Sequence, residues 1–299
     1  MILVFGGNGQ LGQELSRAAT TRAISLRALA HADADIADAA AVAAALMRWK
    51  PDLVVNAAAY TKVDLAESHL DEARRGNEVG PATLAATCAG AGIPLVHVST
   101  DYVFDGTKDG AYLESDPVRP LSVYGKTKAA GEDAIRRAHK HHVILRTAWV
   151  YSEFGHNFLK TVLRLAQTRD ELRIVADQYG SPTSAREIAE AILHLAPLLM
   201  RDQSLAGTYH FTAGGVTTWY GFAGRVVAAA AAFTGRNPRV IAIGTADYPT
   251  AARRPANSQL DYRLFEEKFS FSPRHWTESV DATTRTLVGA AQPADSHVA

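Results

Sequence analysis

Tyr124 and Lys128 stand four positions apart in Tyr124-Gly125-Lys126-Thr127-Lys128. On a helix, that spacing puts both side chains on one face. Free tyrosine and lysine titrate near about 10 and about 10.4, too high for an acid that works near neutrality. An ammonium beside the phenol favours phenolate. Lowering the tyrosine pKa by ~3 units corresponds to roughly 4 kcal/mol. A phenol tuned in this way protonates a carbonyl oxygen while the carbon is reduced. Thr100 or Ser99, in Ser99-Thr100-Asp101-Tyr102-Val103-Phe104, can hydrogen-bond the same oxygen and stabilise its developing charge. Tyr124 and Lys128, with Thr100 or Ser99, are therefore the candidate catalytic set. A bare Y-x-x-x-K usually marks an ordinary surface helix, so the reading depends on what lies upstream.

Upstream lies Gly6-Gly7-Asn8-Gly9-Gln10-Leu11-Gly12, directly after the apolar run Ile2–Phe5. Gly6 allows a tight turn, Gly9 admits a pyrophosphate to the backbone, and Gly12 lets the next helix pack close. The N–H groups and positive dipole end of that helix favour phosphate. The pattern predicts a dinucleotide site, whose oxidised nicotinamide ring would further favour phenolate at Tyr124. The end of the second strand, Ala28-Leu29-Ala30-His31, has no acid to bond a ribose hydroxyl, which permits NADPH without excluding NADH. Arg27 can meet a phosphate or remain a surface charge. Asp35 and Ile36 are placed beside the adenine. Ala57, Ala58 and Ala59 leave room for a cofactor, or simply pack tightly.

These groups need a frame to hold them. Short β-branched runs alternate with helical patterns: Ile2–Phe5, Ile24–Leu29, Leu53–Asn56, Leu95–Ser99 and Val143–Arg146, with helices over 11–19, 37–49, 71–91 and 126–139. That alternation predicts an α/β fold, a doubly wound, Rossmann-like parallel sheet. After Trp149 the expected elements are helices over 155–166, 186–195 and 220–233, and strands over 172–175, 208–212 and 239–243. A polar loop is expected over 248–258. The predicted division is a dinucleotide domain over 1–150, completed by parts of 184–230. A smaller α+β substrate lobe spans 151–183 and 231–291, and a frayed tail 292–299.

The chain has 299 residues, 47% apolar and 21% charged, and zero formal charge. This is the composition of a soluble globular protein and gives no footprint for nucleic acid. The single Cys88 excludes an internal disulfide and fits a reducing compartment, the cytoplasm. It reads as a small packed hydrophobe. No apolar stretch reaches membrane-spanning length. His139, His141 and His142 lack a ligand pattern and are read as surface residues.

Taken together, the motifs resemble the extended short-chain dehydrogenase/reductases and, among them, the dTDP-4-dehydrorhamnose reductases. The resemblance runs from Met1 to about Trp276. It includes Val55-Asn56-Ala57-Ala58-Ala59-Tyr60-Thr61, Arg146-Thr147-Ala148-Trp149-Val150-Tyr151, Asp177-Gln178-Tyr179-Gly180-Ser181-Pro182-Thr183 and Ala252-Arg253-Arg254-Pro255, beside the segments above. It implies reduction of the C4 ketone of a dTDP-6-deoxy-4-keto sugar by NADPH or NADH. Thr100, Tyr124 and Lys128 would be catalytic. Gly6, Gly9, Gln10, Leu11, Ala57, Ala58 and Lys128 would hold the cofactor. Thr61, Val63, Tyr102, Trp149, Arg253 and Arg254 would meet the dTDP-sugar, two adjacent arginines suiting a diphosphate. Some relatives hold Mg²⁺ with glutamates at a homodimer interface. Glu14 matches one such position, but the later one reads Arg186-Glu187, so no metal is assigned and both glutamates are read as helix-face charges. Two other readings stay open: a non-catalytic regulatory subunit of the same fold, and a reductase or epimerase for another nucleotide sugar.

Overall fold

In the computed structural model, residues 1–289 are described; the expected tail at 292–299 lies outside them. Six strands form one sheet: β1 (Ile2–Phe5), β2 (Leu26–Leu29), β3 (Leu53–Asn56), β4 (Leu95–Thr100), β5 (His142–Thr147) and β6 (Gly207–His210). Their spatial order is β6-β5-β4-β3-β1-β2, and every pairing is parallel. This is the expected doubly wound sheet. The order reverses between β1 and β3, and ligands of such sheets bind at that crevice, beyond the strands' C-terminal ends.

The sheet is covered on both faces because alternate residues point opposite ways. Ile2, Val4, Val55, Val96 and Leu145 face α1 (Gln10–Thr21), and a long helix over Ala185–Arg201 backs the same side. Leu3, Phe5, Val54, Leu95 and Ile144 face α2 (Ala39–Trp49) and α3 (Gly80–Ala91). Cys88 lies in this second layer, fully buried, and burial pushes its thiol up to about 12. The segment Tyr124–Lys128 opens α4 (Val123–Ala138), which packs against α3.

A separate apolar core joins Tyr151, Leu159, Leu172, Phe222, Val226 and Trp276. The later helices are α5 (Phe158–Ala166), α6 (Ala185–Arg201), α7 (Trp219–Thr234), α8 (Arg263–Phe269) and α9 (Trp276–Gly289). Of these, α5, α7 and α9 pack into the separate core, while α6 and α8 back the main sheet. Glu171–Val175 pairs in parallel with Arg239–Ile243 beside it.

Four elements depart from the sequence reading. The helix expected over 186–195 continues to Arg201 through Pro197. Proline disfavours a helix interior, but burial of Leu195, Ala196 and Leu199 carries the helix through it. The pattern over 71–91 is interrupted by a π-helical stretch, Arg75–Val79. Helices α8 and α9 have no counterpart among the expected elements. α9 contains Thr277, Thr283, Thr284 and Thr286, weak helix formers, and is held by its buried Trp276, Val280 and Val288.

The histidine cluster is not a surface feature. His139 and His142 are buried. His139 bonds the Ile93 carbonyl and His142 the His139 carbonyl, while half-buried His141 bonds the Leu199 carbonyl. Burial lowers the pKa of His139 and His142. The two glutamates are not helix-face charges either. Glu14 and Glu187 are both buried and line one cleft with Arg17, Glu153 and Arg274. Glu14 accepts from Ser152 at 2.7 Å and pairs with Arg17 at 2.6 Å. Helical spacing hid both, because each glutamate sits where its helix meets a neighbour. Among the described residues, no group of three or more His, Cys, Asp or Glu side chains can hold a metal ion.

Candidate active site

The glycine turn is shaped by close backbone approach. Gly6 has φ +92°, and a Cβ there would lie 2.6 Å from the Ala58 nitrogen. A Cβ on Gly12 would lie 2.3 Å from the Gly6 carbonyl oxygen. Only glycine fits either place. α1 starts at Gly9 with no side-chain cap, which leaves first-turn N–H groups for a ligand. A dinucleotide pyrophosphate fits this cradle. The Leu11 side chain belongs to the core, so its contribution there is its backbone. Gln10 accepts from Asn157 at 2.9 Å and ties the turn to the N-cap of α5.

Ala57, Ala58 and Ala59 are half-buried at the C-terminal end of β3. The Ala57 N–H donates to Phe5 O at 2.9 Å, and the Ala58 N–H to Asn56 Oδ1 at 3.0 Å. Asp35 pairs with Arg75 at 2.6 Å. Ile36 is a core residue pressed against Gly80.

Ser122 caps α4 by accepting from the Gly125 N–H at 3.1 Å. A Cβ on Gly125 would lie 2.2 Å from the Tyr102 carbonyl oxygen, so the helix start is seated directly on the turn that follows β4. Tyr124 thereby meets Tyr102 edge-on, ring centroids 5.5 Å apart. Val63 and Tyr60 pack into the same cluster. Thr100 donates to Asp101 Oδ1 at 2.9 Å and lies beside the Tyr124 phenol. Ser99 lies beside Glu132 instead, its buried Oγ without a hydrogen-bond partner, which leaves Thr100 as the hydroxyl at the phenol.

Electrostatics here contradict the simple expectation. Burial, with the Asp101 carboxylate adding to it, raises the Tyr124 pKa; the Thr100 hydroxyl opposes them. Burial pulls Lys128 down to about 8, with Glu132 opposing. Lys128 Nζ donates to the Val98 carbonyl at 2.7 Å rather than to the phenol. Desolvation outweighs the ammonium because both groups sit in the protein interior. Burial also raises Asp101 to about 6, against hydrogen bonds from Ser258 and Thr100.

The two adjacent arginines separate. Arg254 forms a two-pronged pair with Asp64, at 2.7 and 3.1 Å, and holds Asp64 below its ordinary pKa. Arg253 is exposed, as is Thr61. Trp149 lies in the second core, in a left-handed conformation (φ +49°), stacked on Trp219 at 3.7 Å. The loop carrying the arginines is anchored on the segment after β4. Its anchor is Asn257, which donates to the Lys108 and Gly110 carbonyls at 2.8 and 2.7 Å.

Sequence reasoning missed Asn77, His97 and Asp64. Asn77 is fully buried in the π-helical stretch. It accepts from the Tyr60 N–H at 2.9 Å and donates to Thr127 at 3.2 Å, beside Tyr124 and Lys128. Its signal was a polar residue in an otherwise apolar helix face, and π turns are frequent at functional sites.

A sequence model of the family described as RmlD substrate binding domain matches residues 1–288. The dTDP-4-dehydrorhamnose reductase of Sinorhizobium fredii is 43% identical over 291 residues, 97% of each chain. The chain belongs to the RmlD family. The Escherichia coli K12 member is 39% identical over 284 residues, 93% of this chain and 95% of that one. Among solved RmlD structures, the reductase of Clostridium acetobutylicum superposes with TM-score 0.88 at 36% identity, covering 96% of this chain and 99% of that one. The Bacillus anthracis reductase, solved in complex with NADP, gives 0.86 at 30% identity, covering 94% and 97%.

Proposed function

We propose that Thr100, Tyr124 and Lys128 perform the final step of dTDP-L-rhamnose synthesis, the NAD(P)H-dependent reduction of the C4 ketone of dTDP-4-dehydro-L-rhamnose. The observation that carries the reading is the seat of Tyr124, beside Thr100 at the C-terminal end of β4, where an open α/β sheet takes its ligand. A bound dinucleotide supplies hydride to the carbonyl carbon. Tyr124 gives its phenolic proton to the ketone oxygen. A phenol raised above its ordinary pKa reaches the reaction protonated, as an acid must. Thr100 stabilises the phenolate left behind, and Lys128, with a pKa of about 8, returns a proton to it. Gly6, Gly9 and the backbone of Gln10 and Leu11 receive the pyrophosphate. Val63 and Tyr102 form the wall nearest Tyr124, and Arg253 with Arg254 faces the sugar diphosphate. NADPH can serve as donor, since no carboxylate ends β2 to repel a 2′-phosphate, and NADH remains open.

The test is NADPH oxidation with the dTDP-4-keto-6-deoxy sugar generated in situ, beside the UDP-linked equivalent and NADH. Turnover with the dTDP substrate is expected. Retained dinucleotide binding without turnover would instead favour a regulatory subunit.

A further inference from the structure

β3 and β4 lie side by side with Asn56 opposite His97. Both side chains are buried, and so is Lys128. The Ala58 N–H donates to Asn56 Oδ1 at 3.0 Å, which fixes the amide, so its nitrogen faces His97 Nδ1 at 3.0 Å. A ring nitrogen that accepts there carries the imidazole proton on its other nitrogen. His97 therefore presents Nε2–H to Lys128 Nζ, 3.4 Å away. Two donors facing each other repel, whereas an uncharged amine meets Nε2–H with its lone pair.

We propose that His97 is a positioning residue of the reductase, a fixed N–H donor that holds Lys128 Nζ against β4 and stabilises its uncharged amine. Asn56 sets the tautomer. The proposal rests on the assignment of Lys128 to the catalytic set. It makes Lys128 a readier proton donor, because the amine left after the proton departs is caught by His97. The chain of bonds begins at Ala58, the residue packed against Gly6, so the cofactor turn and the lysine share one support.

Other groups near the lysine are few. Tyr124 and Glu132 flank it on α4, one turn to either side. Glu132 is itself bound by Arg146 of β5 and by Arg136. His142 of β5 adds a smaller electrostatic push that lowers the His97 pKa, after burial and Lys128. None of these donates a hydrogen bond to Nζ that would replace the one from His97.

The test has two readouts. The chain has eight lysines, so their ε-carbons can be labelled with ¹³C and titrated by NMR in the cofactor-free protein. Lys128→Met identifies the resonance. NADPH oxidation gives kcat and KM. His97→Phe keeps the ring volume and loses the donor. It should raise the Lys128 midpoint by about one unit and cut kcat ~10-fold, with dinucleotide KM unchanged. His97→Gln, whose amide reaches further, should recover most of both effects. His97→Asn keeps the Asn56 contact but falls short of Nζ, and should behave like His97→Phe; it serves if the aromatic variant does not fold. An unmoved midpoint in His97→Phe or His97→Asn overturns the proposal, as does equal loss in the Gln and Asn variants, which would indicate packing alone. Normal turnover in Lys128→Met removes Lys128 from the catalytic set and this proposal with it. An inactive Lys128→Met beside an unaltered His97→Phe removes only the role of His97.

Discussion

The glycine turn and the start of α4 open onto the same crevice and are built by opposite means. The turn works through missing side chains: Gly6 and Gly12 let backbone approach backbone. The helix start works through buried side chains, each held by another: Tyr124 by Thr100, Lys128 by Val98 and His97, Thr127 by Asn77. A backbone cradle tolerates changes in its surroundings but no added carbon. A side-chain network tolerates changes of volume but no lost partner.

If that contrast holds, Tyr124→Phe is the most damaging of the conservative changes. It removes one oxygen from a buried network and should lower kcat ~10³-fold while dinucleotide affinity stays near wild type. Stopped-flow turnover with fluorescence titration of NADPH checks both halves, and near-normal turnover would remove Tyr124 as the acid. Gly12→Val probes the cradle. Its branched side chain would strike the Gly6 carbonyl, costing about 2–3 kcal/mol and weakening dinucleotide binding ~100-fold. Calorimetric titration reads the loss. Arg254→Ala should raise the KM for the sugar nucleotide ~10-fold, more than Arg253→Ala, because it also releases Asp64 and the anchored loop. Equal effects would mean that charge alone matters.

A milder consequence concerns stability. His97, His139, His142 and His210 are held below their ordinary pKa, His210 at about 3, chiefly by burial. Below about 6.5 the unfolded chain binds these protons and the folded chain does not, so stability falls as pH drops. Asp101, raised to about 6, works in the opposite sense, as do Glu14, Glu114 and Glu187, also raised by burial; the histidines, whose ordinary pKa lies inside this range, set the sign between pH 7 and 5.5. Lowering the pH from 7 to 5.5 should reduce Tm by about 5 °C, measured by scanning calorimetry; a flat or rising Tm would contradict the buried, neutral histidines.

The same contrast explains what could be read from the sequence. Ile2–Phe5, the glycine spacing and the strand-helix alternation are local patterns, and each led directly to an element of the sheet. The pairing of Tyr124 with Lys128 was visible as a shared helix face, but the direction of the tyrosine shift was not, because burial is a property of the packed chain. His97 reads as one polar residue in an apolar strand until β3 places Asn56 beside it. The Arg254 partner, Asp64, lies 190 residues away in the chain. Glu14 and Glu187 looked solvated because helical periodicity cannot say which neighbour a polar face will meet. α9 was hidden by its threonines, whose weak propensity is overridden by the burial of Trp276 and Val280.

The last strand of the main sheet, β6, pairs with β5 only after the chain has laid down α5 and α6 between them. During synthesis, β5 therefore waits as an open edge while about sixty more residues emerge. Its six residues are all buried in the finished protein. Such an edge is a template for mispairing until it is covered. Joining β6 to β5 is also a long-range contact, and contacts of that kind slow folding. The two cores are thus bound together in time as well as in space: the first half of the chain cannot close its own sheet until the ribosome has passed His210.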